Sequence, residues 1–475
     1  MKKIKIYILS LLSIVFFRCD DLAELNIDPN AAVNVDPSSL LTYGEYQLYN
    51  MMGGVSYNAD WGLLMVQQWA QNEYTEDSRY NQDITFFNND WIRSYVNIIK
   101  EFESAKELVD IQDVSENIKT NRKNILDVMI VQAFANLTDG FGDIPYSEVN
   151  NSDISLPAYD NQAEIYEDLL MRLDNASNTF DTSSISFTSG DIIFNGDVSK
   201  WKKFTNALIL RYSLRVSDAN ESLAQMYISS AAGYLMSSNN DNALFTFDSN
   251  PDRSNPLYQN FAPVIGNRDD YCVSEYFVDT LKDLDDPRLE KFAKPAPSGE
   301  IVGMPYGLSD NAATELKASS SRPTDEVRSA TTPHVILSYS EVQFLLSEAY
   351  QRGLLTGNAS DAYNEAIEAS MNYWGITDAT AIMDYTANNA YDASNWKMHI
   401  GVQKWISLYM NGFQAWNEWR RLDYPVLEVP SEAVISSIPV RFPYPLSETQ
   451  NNSTQLEKVT SDPSDMTTKV WWDIN

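Results

Sequence analysis

The chain reads as a mainly α protein: tetratricopeptide-like helical hairpins forming an α/α superhelical scaffold with long irregular loops. Three observations predict it. Apolar residues recur at steps of three and four through segment after segment. One helix–turn–helix unit carries small residues where two helices would touch. Two stretches, near 242–335 and 424–475, lose that period and fill with Pro, Gly, Ser and Asn.

The elements follow in order. Lys2, Lys3 and Lys5 precede an uncharged run from Ile6 to Phe17. A basic start and an apolar core of roughly 7–15 residues form a signal peptide. A spanning helix needs roughly 20. Cys19 ends the run and reads as the first mature residue and the site of lipid attachment, although Phe17 and Arg18 stand where a bacterial lipobox has small residues. Residues 1–18 are thus the signal peptide and 19–39 a lipidated tether and extended lead-in. Residues 40–475 form a single helical domain.

Within it, "WIRSYVNIIKEFESAKELV" places Trp91, Tyr95, Ile98, Phe102, Ala105 and Val109 on one face. "NRKNILDVMIVQAFANL" aligns Ile125, Val128, Met129, Ala133 and Leu137, and "AEIYEDLLMRLDNASNTF" aligns Ile165, Leu169, Leu173 and Ala176. "WKKFTNALILRYSLRVS" aligns Trp201, Phe204 and Leu208. "SYSEVQFLLSEAYQRG", stopped by Gly353, and "ASDAYNEAIEASMNYWG" make the hairpin with small packing residues. "HIGVQKWISLYMNGFQAWNEWRR" reads as one more helical stripe through Val402, Ile406, Tyr409, Phe413 and Trp416.

Composition narrows the function. Asp and Glu number 66 against 34 Lys and Arg, a formal net charge of -32. Such a surface repels nucleic-acid phosphate, so a nucleic-acid partner is excluded. There are two cysteines; Cys272, in the helical-looking "DDYCVSEYFVDTL", reads as an unpaired buried thiol. The two histidines, His334 and His399, sit in no HExxH, and no G-x-S-x-G or P-loop pattern occurs. The glycines of "DGFGDIPYSE" follow a helix and read as its C-terminal turn. The acidic "LKDLDDPRLE" and "NNDNALFTFDSNPD" lack EF-hand spacing and read as solvated loops. No catalytic set, cofactor or metal site is predicted. The 27 Tyr and 11 Trp suit stacking on sugars or gripping peptides.

Seven stretches together resemble the SusD/RagB family of outer-membrane nutrient-binding lipoproteins. They are "CDDLAELNIDPN", "ANLTDGFGDIPYSEV", "IFNGDVSKWKKFTNALILRYSLRVS", "NNDNALF", "SYSEVQFLLSEAYQRG", "QKWISLYMNGFQAWNEWRRLDYP" and "IPVRFPYPLSE". They keep the family's order, and "GFGDIPY" and "WNEWRR" resemble the subgroup described as starch-binding and associating with the outer membrane. The resemblance implies a lipoprotein anchored through Cys19 at the outer face of the outer membrane. It also implies a TonB-dependent SusC-like transporter as partner and an oligosaccharide or peptide ligand, glycan favoured, that is bound and not cleaved. A surface glycan hydrolase or lyase is the second reading.

The resemblance also locates the ligand face, in an early loop and part of the mid-chain irregular region. The early loop here, "QQWAQNEYTEDSRYNQDITFFNNDW", offers Tyr74, Arg79, Tyr80, Phe86, Phe87 and Asn88. The mid-chain region offers Arg253, Tyr258, Arg268 and Tyr306, whereas Trp91 begins a helical stripe and belongs to the core.

Overall fold

The structure is a computed structural model describing residues 35–474. Cys19 and the predicted signal peptide lie outside the described residues. The longer helices are α1 (Pro37–Met52), α2 (Lys100–Asp110), α3 (Glu116–Phe141), α4 (Gln162–Thr179), α5 (Val198–Val216) and α6 (Glu221–Ala231). They continue as α7 (Tyr339–Gln351), α8 (Ala359–Tyr373), α9 (Trp396–Ser407) and α10 (Gly412–Leu422). Successive helices pack as hairpins: α3 on α4, α4 on α5, α5 on α6, α7 on α8, α9 on α10. The predicted unit at 338–373 is one of them, with Ala349, Ala362 and Ala366 buried between its helices.

Local chemistry sets the ends. Asn161, Asp197, Ser338 and Asn358 each accept a backbone N–H in the first turn of α4, α5, α7 and α8. α3 closes at Gly142 (φ 87°), the turn read from "DGFGDIPYSE". Pro37, at home in a helix's first turn, opens α1, so the last three residues of the predicted lead-in are already helical.

Other expectations change. The stripe from 91 to 109 holds its buried face, but Ser94–Ile99 is a π-helical insert between Asn88–Arg93 and α2. The stripe near the C-terminus is two helices, because Met410 takes a left-handed φ of 70° and breaks it. The break lets Gly412 meet Gly62 of the helix Val55–Leu63 backbone to backbone; a Cβ on Gly62 would stand 2.3 Å from the Gly412 carbonyl carbon. The 242–335 region is not merely loops. It holds two strands that pair, β4 (Ala243–Phe245) with β6 (His334–Leu337), and β5 (Tyr271–Val273), which pairs with β1 (Trp69–Gln71). The small pair β2 (Ile144–Pro145) and β3 (Tyr159–Asp160) is the third such ladder. Cys272 is a buried free thiol, as expected, but on β5 rather than a helix. In "LKDLDDPRLE" the solvated reading fails at the centre: Asp286 and Arg288 are fully buried and paired at 2.6 Å.

The helical layers meet on a buried charged axis. Arg211 of α5 grips Glu341 of α7 through two bonds of 2.8 and 2.6 Å. Arg421 of α10 grips Glu348 of α7 through two bonds of 2.6 Å and reaches Glu418 at 2.7 Å. Lys404 of α9 and Arg215 of α5 complete the shell around Glu418, at 2.9 and 3.2 Å. Burial pushes the Glu418 carboxyl up, but Arg421, Lys404 and Arg215 overcome it and hold it well below the usual carboxylate range. Arg420 lies over Trp416 (3.4 Å) and Trp472 (4.5 Å) and donates to the carbonyls of Val440 and Asp139. The "WNEWRR" motif is therefore internal architecture. Among the described residues no helix is long and apolar enough to cross a membrane.

Candidate functional site

The site begins with a strand pair. β1 and β5 run antiparallel with Gln71 opposite Tyr271. Past the ladder, the Asn72 amide N–H donates to the Asp270 carbonyl at 2.8 Å, and its side chain donates to the Asp269 carbonyl at 3.0 Å. This pairing brings the early loop onto the mid-chain region. Tyr74 then lies under the Arg268 guanidinium, 4.5 Å from ring centroid to Cζ, while Arg268 donates to Asp270 at 2.5 Å. Tyr74 stays 59% exposed and Arg268 46%.

The loop is held on both sides. The Thr75 N–H donates to Asp310 at 2.8 Å, and Glu73 pairs with Lys317 at 2.7 Å. The Val434 N–H donates to the Arg79 carbonyl at 2.8 Å, and Gln67 donates to the Glu428 carbonyl at 2.7 Å. A third segment enters at Gly307, where a Cβ would strike Pro430 at 2.4 Å. The backbone is strained. Tyr74 and Tyr80 both take left-handed φ values, 51° and 62°, a conformation that costs a bulky side chain about 1–3 kcal/mol and clusters where function demands it.

Nearby in the loop, Tyr80 is fully buried and Tyr306 half-buried, their rings 6.4 Å apart and both hydroxyls out of solvent. Beside them Tyr271 donates to Asp60, and Gln71 donates to Asp77 at 3.0 Å. Burial raises the Asp77 carboxyl to about 6, with Gln71 and Gln82 lowering it and Glu76 raising it. Burial, then Asp77, push Asp60 well above its usual value. The face thus offers one open aromatic ring, a guanidinium plane and half-buried carboxyls. That set can stack on a ring and exchange hydrogen bonds with hydroxyl or amide groups. Among the described residues no group of three or more His, Cys, Asp or Glu could hold a metal ion.

The structure unites Tyr74 with Arg268 and Tyr80 with Tyr306. Arg79 borders them, its side chain folded back on Thr75 at 3.2 Å. The others fall elsewhere. Phe87 is fully buried and stacks on Phe442 at 3.7 Å, with Tyr57, Trp61 and Phe141 at its edges. Phe86 packs on Phe87 and Trp61. Asn88 accepts the Ser447 N–H at 2.7 Å and so pins the C-terminal segment. Phe87 builds core, with half-buried Phe86 packed against it and half-buried Asn88 tying down the C-terminal segment, because an aromatic pair at adjacent positions had a core wall beside it that no local pattern reveals. Tyr258 sits half-buried in the short helix Pro256–Phe261, and Arg253 lines a separate cavity. Sequence reasoning missed Asp60, Gln71, Asp77 and Tyr271. Only the strand pairing gathers them, and three-residue strands leave almost no alternation to read.

Residues 29–445 match the family described as SusD-like, starch-binding and associating with the outer membrane. The chain belongs to that family. Among solved structures it is similar to a chitin-binding protein, with 27% identity, a TM-score of 0.83, and coverage of 93% of this chain and 100% of that one. A chitin-binding SusD homologue from Flavobacterium johnsoniae shares the fold at 21% identity and a TM-score of 0.79, over 92% and 98% of the two chains. A SusD homologue from Bacteroides uniformis does so at 23% identity and a TM-score of 0.77, over 93% and 100%. No curated protein matches the sequence.

Proposed function

We propose that this SusD-like protein binds glycan oligomers on the Tyr74–Arg268 face and delivers them to a TonB-dependent SusC-like transporter at the cell surface. The observation that carries the reading is the open Tyr74 ring, backed by the exposed Arg268 guanidinium. Likeness to a 27% identical chitin-binding protein makes a β-linked N-acetylglucosamine oligomer the first ligand to try. Titration with chitin, starch and peptide oligomers tests it. Binding of peptides alone would overturn the glycan assignment.

The protein binds and does not cleave. Asp60 and Asp77 sit in the face, but Asp60 is engaged by the Tyr271 hydroxyl and Asp77 by amides, so neither stands free beside a bond to be broken. Release of shorter sugars that stops in Asp60→Asn or Asp77→Asn would instead make it a hydrolase or lyase. The anchor is Cys19, carrying acyl chains; one chain binds a membrane only marginally and two or more hold it. Membrane retention of Cys19→Ala would refute the anchor. A permanent transporter complex needs an interface of roughly 2,000 Å² or more. A transporter that never co-purifies from solubilised membranes would remove it from the account.

A further inference from the structure

Three surface cavities of comparable size lie away from the Tyr74 face. One, of about 450 Å³, is walled by Asp160, Glu164 and Asp168 with Arg172 and is dominated by carboxylates. One, of about 330 Å³, is apolar, lined by Ile92, Val96, Val149 and Ile154 with Glu448 at its edge. The third, of about 390 Å³, combines both characters. It lies between the exposed side of α1 and the strand end that follows β4.

Its residues form a graded surface. Phe245 and Phe247 are buried, with ring centroids 5.1 Å apart, and give an apolar floor. Tyr46 stands on that floor, 6.4 Å from Phe245, and stays half-buried. Tyr43, one turn of α1 away, is 40% exposed, and its hydroxyl accepts from Asn97 at 3.3 Å. At the mouth, Arg253 and Asp248 pair at 3.2 Å and both remain largely in solvent. An exposed pair of this kind contributes little to stability, about 0–1 kcal/mol, so folding does not require it there. Its neighbouring donor and acceptor match the paired hydroxyls of a sugar ring, and the volume falls in the roughly 300–1,000 Å³ range of small-ligand sites.

We infer that this cavity is a second carbohydrate subsite: Tyr43 and Tyr46 stack on a pyranose ring while Arg253 and Asp248 take its hydroxyls. The inference rests on the glycan reading of the Tyr74 face. A polymer offers the same unit repeatedly, so two sites on one chain raise its retention without new contacts at either, by effective concentration. Arg253, predicted as a ligand residue of the first face, gains its role here instead.

The test uses the full chain in detergent, titrated calorimetrically with chitotriose and, separately, maltotriose, and then with a soluble polymer of the sugar that binds. The expected result is two equivalents of trisaccharide, one lost in Tyr43→Ala or Asp248→Asn and the other in Tyr74→Ala. Polymer affinity should fall tenfold or more in Tyr43→Ala while trisaccharide affinity at the Tyr74 face holds. A single equivalent, abolished by Tyr74→Ala and untouched by Tyr43→Ala and Asp248→Asn, overturns the second subsite and leaves the first. A single equivalent abolished only by Tyr43→Ala and Asp248→Asn keeps this subsite and removes the Tyr74 face. No binding of either sugar overturns both. The three substituted positions are exposed, so unchanged melting checks that the variants fold.

Discussion

Arg420 and Arg268 both lie over aromatic rings, and their settings differ in nearly everything else. Arg420 lies against Trp416 and Trp472, buried, with both terminal nitrogens donating to backbone carbonyls and Asn417. Arg268 covers Tyr74 alone, spends one donor on Asp270, and leaves both itself and the ring open to water. The contact type is the same; what differs is how many faces and donors are consumed. Where the guanidinium is shut off from water against two rings, the arginine is architecture. Where some are left over, in a strained loop held from both sides, the same contact is a surface waiting for a partner.

The contrast breaks most easily at the axis. Glu418→Ala leaves Arg421, Lys404 and Arg215 around a missing counter-charge in the interior. Removing one partner of a buried ion pair costs about 3–5 kcal/mol. Calorimetry should show a large loss of melting temperature or no folded protein. A variant that melts like the wild type would mean the axis is not what joins the helical layers. Phe87→Ala should come next, at roughly 3–5 kcal/mol for a buried aromatic. Urea unfolding checks it, and normal stability would return Phe87 to the ligand face.

The two regions also respond to pH with opposite sign. Glu418 titrates below its ordinary value, so its stabilisation is present above the usual carboxylate range and is lost as pH falls through the depressed folded value. Asp77 titrates at about 6 in the fold against 3.8 ordinarily. Its protonated form stabilises the fold fully below 3.8, and that stabilisation is lost as pH rises through about 6. Asp77→Asn should therefore melt higher than wild type at pH 8, by an amount on the order of 1–3 kcal/mol, with the gap closing towards pH 4. A gap that is constant with pH would show that Asp77 is not buried as a neutral acid.

How much of this was legible follows from what each feature needs. The helices were readable because α3, α4 and α5 bury residues at their own period, as Ile165, Leu169 and Leu173 do. "WNEWRR" was readable as a signature but not as a job, because its partners Glu348 and Asp139 come from helices far away in the chain. Tyr74 and Arg268 were both named from loop composition, but their meeting depends on the β1–β5 ladder, only three residues long. Phe87 failed for the converse reason. Its neighbour Phe442 lies hundreds of positions later, and an apolar residue in a polar loop looks alike whether it faces water or a wall.

The finest test of the contrast is at Tyr74 itself. An aromatic stack contributes about 1 kcal/mol beyond its buried area, and the buried area is lost with it, so Tyr74→Ala should remove measurable oligosaccharide binding at this face. Melting should hold, since the side chain is mostly in solvent. Tyr74→Gly separates the roles further. The backbone at 74 has φ 51°, where glycine rests without strain and tyrosine does not. Glycine there should match or exceed the wild type in melting temperature while binding as poorly as alanine. That outcome would mean the loop tolerates a strained tyrosine for the ligand and not for the fold. A glycine variant that melts clearly lower while binding sugar normally would place the ring with Trp416 and Trp472 as architecture, and the distinction between the two arginines would collapse.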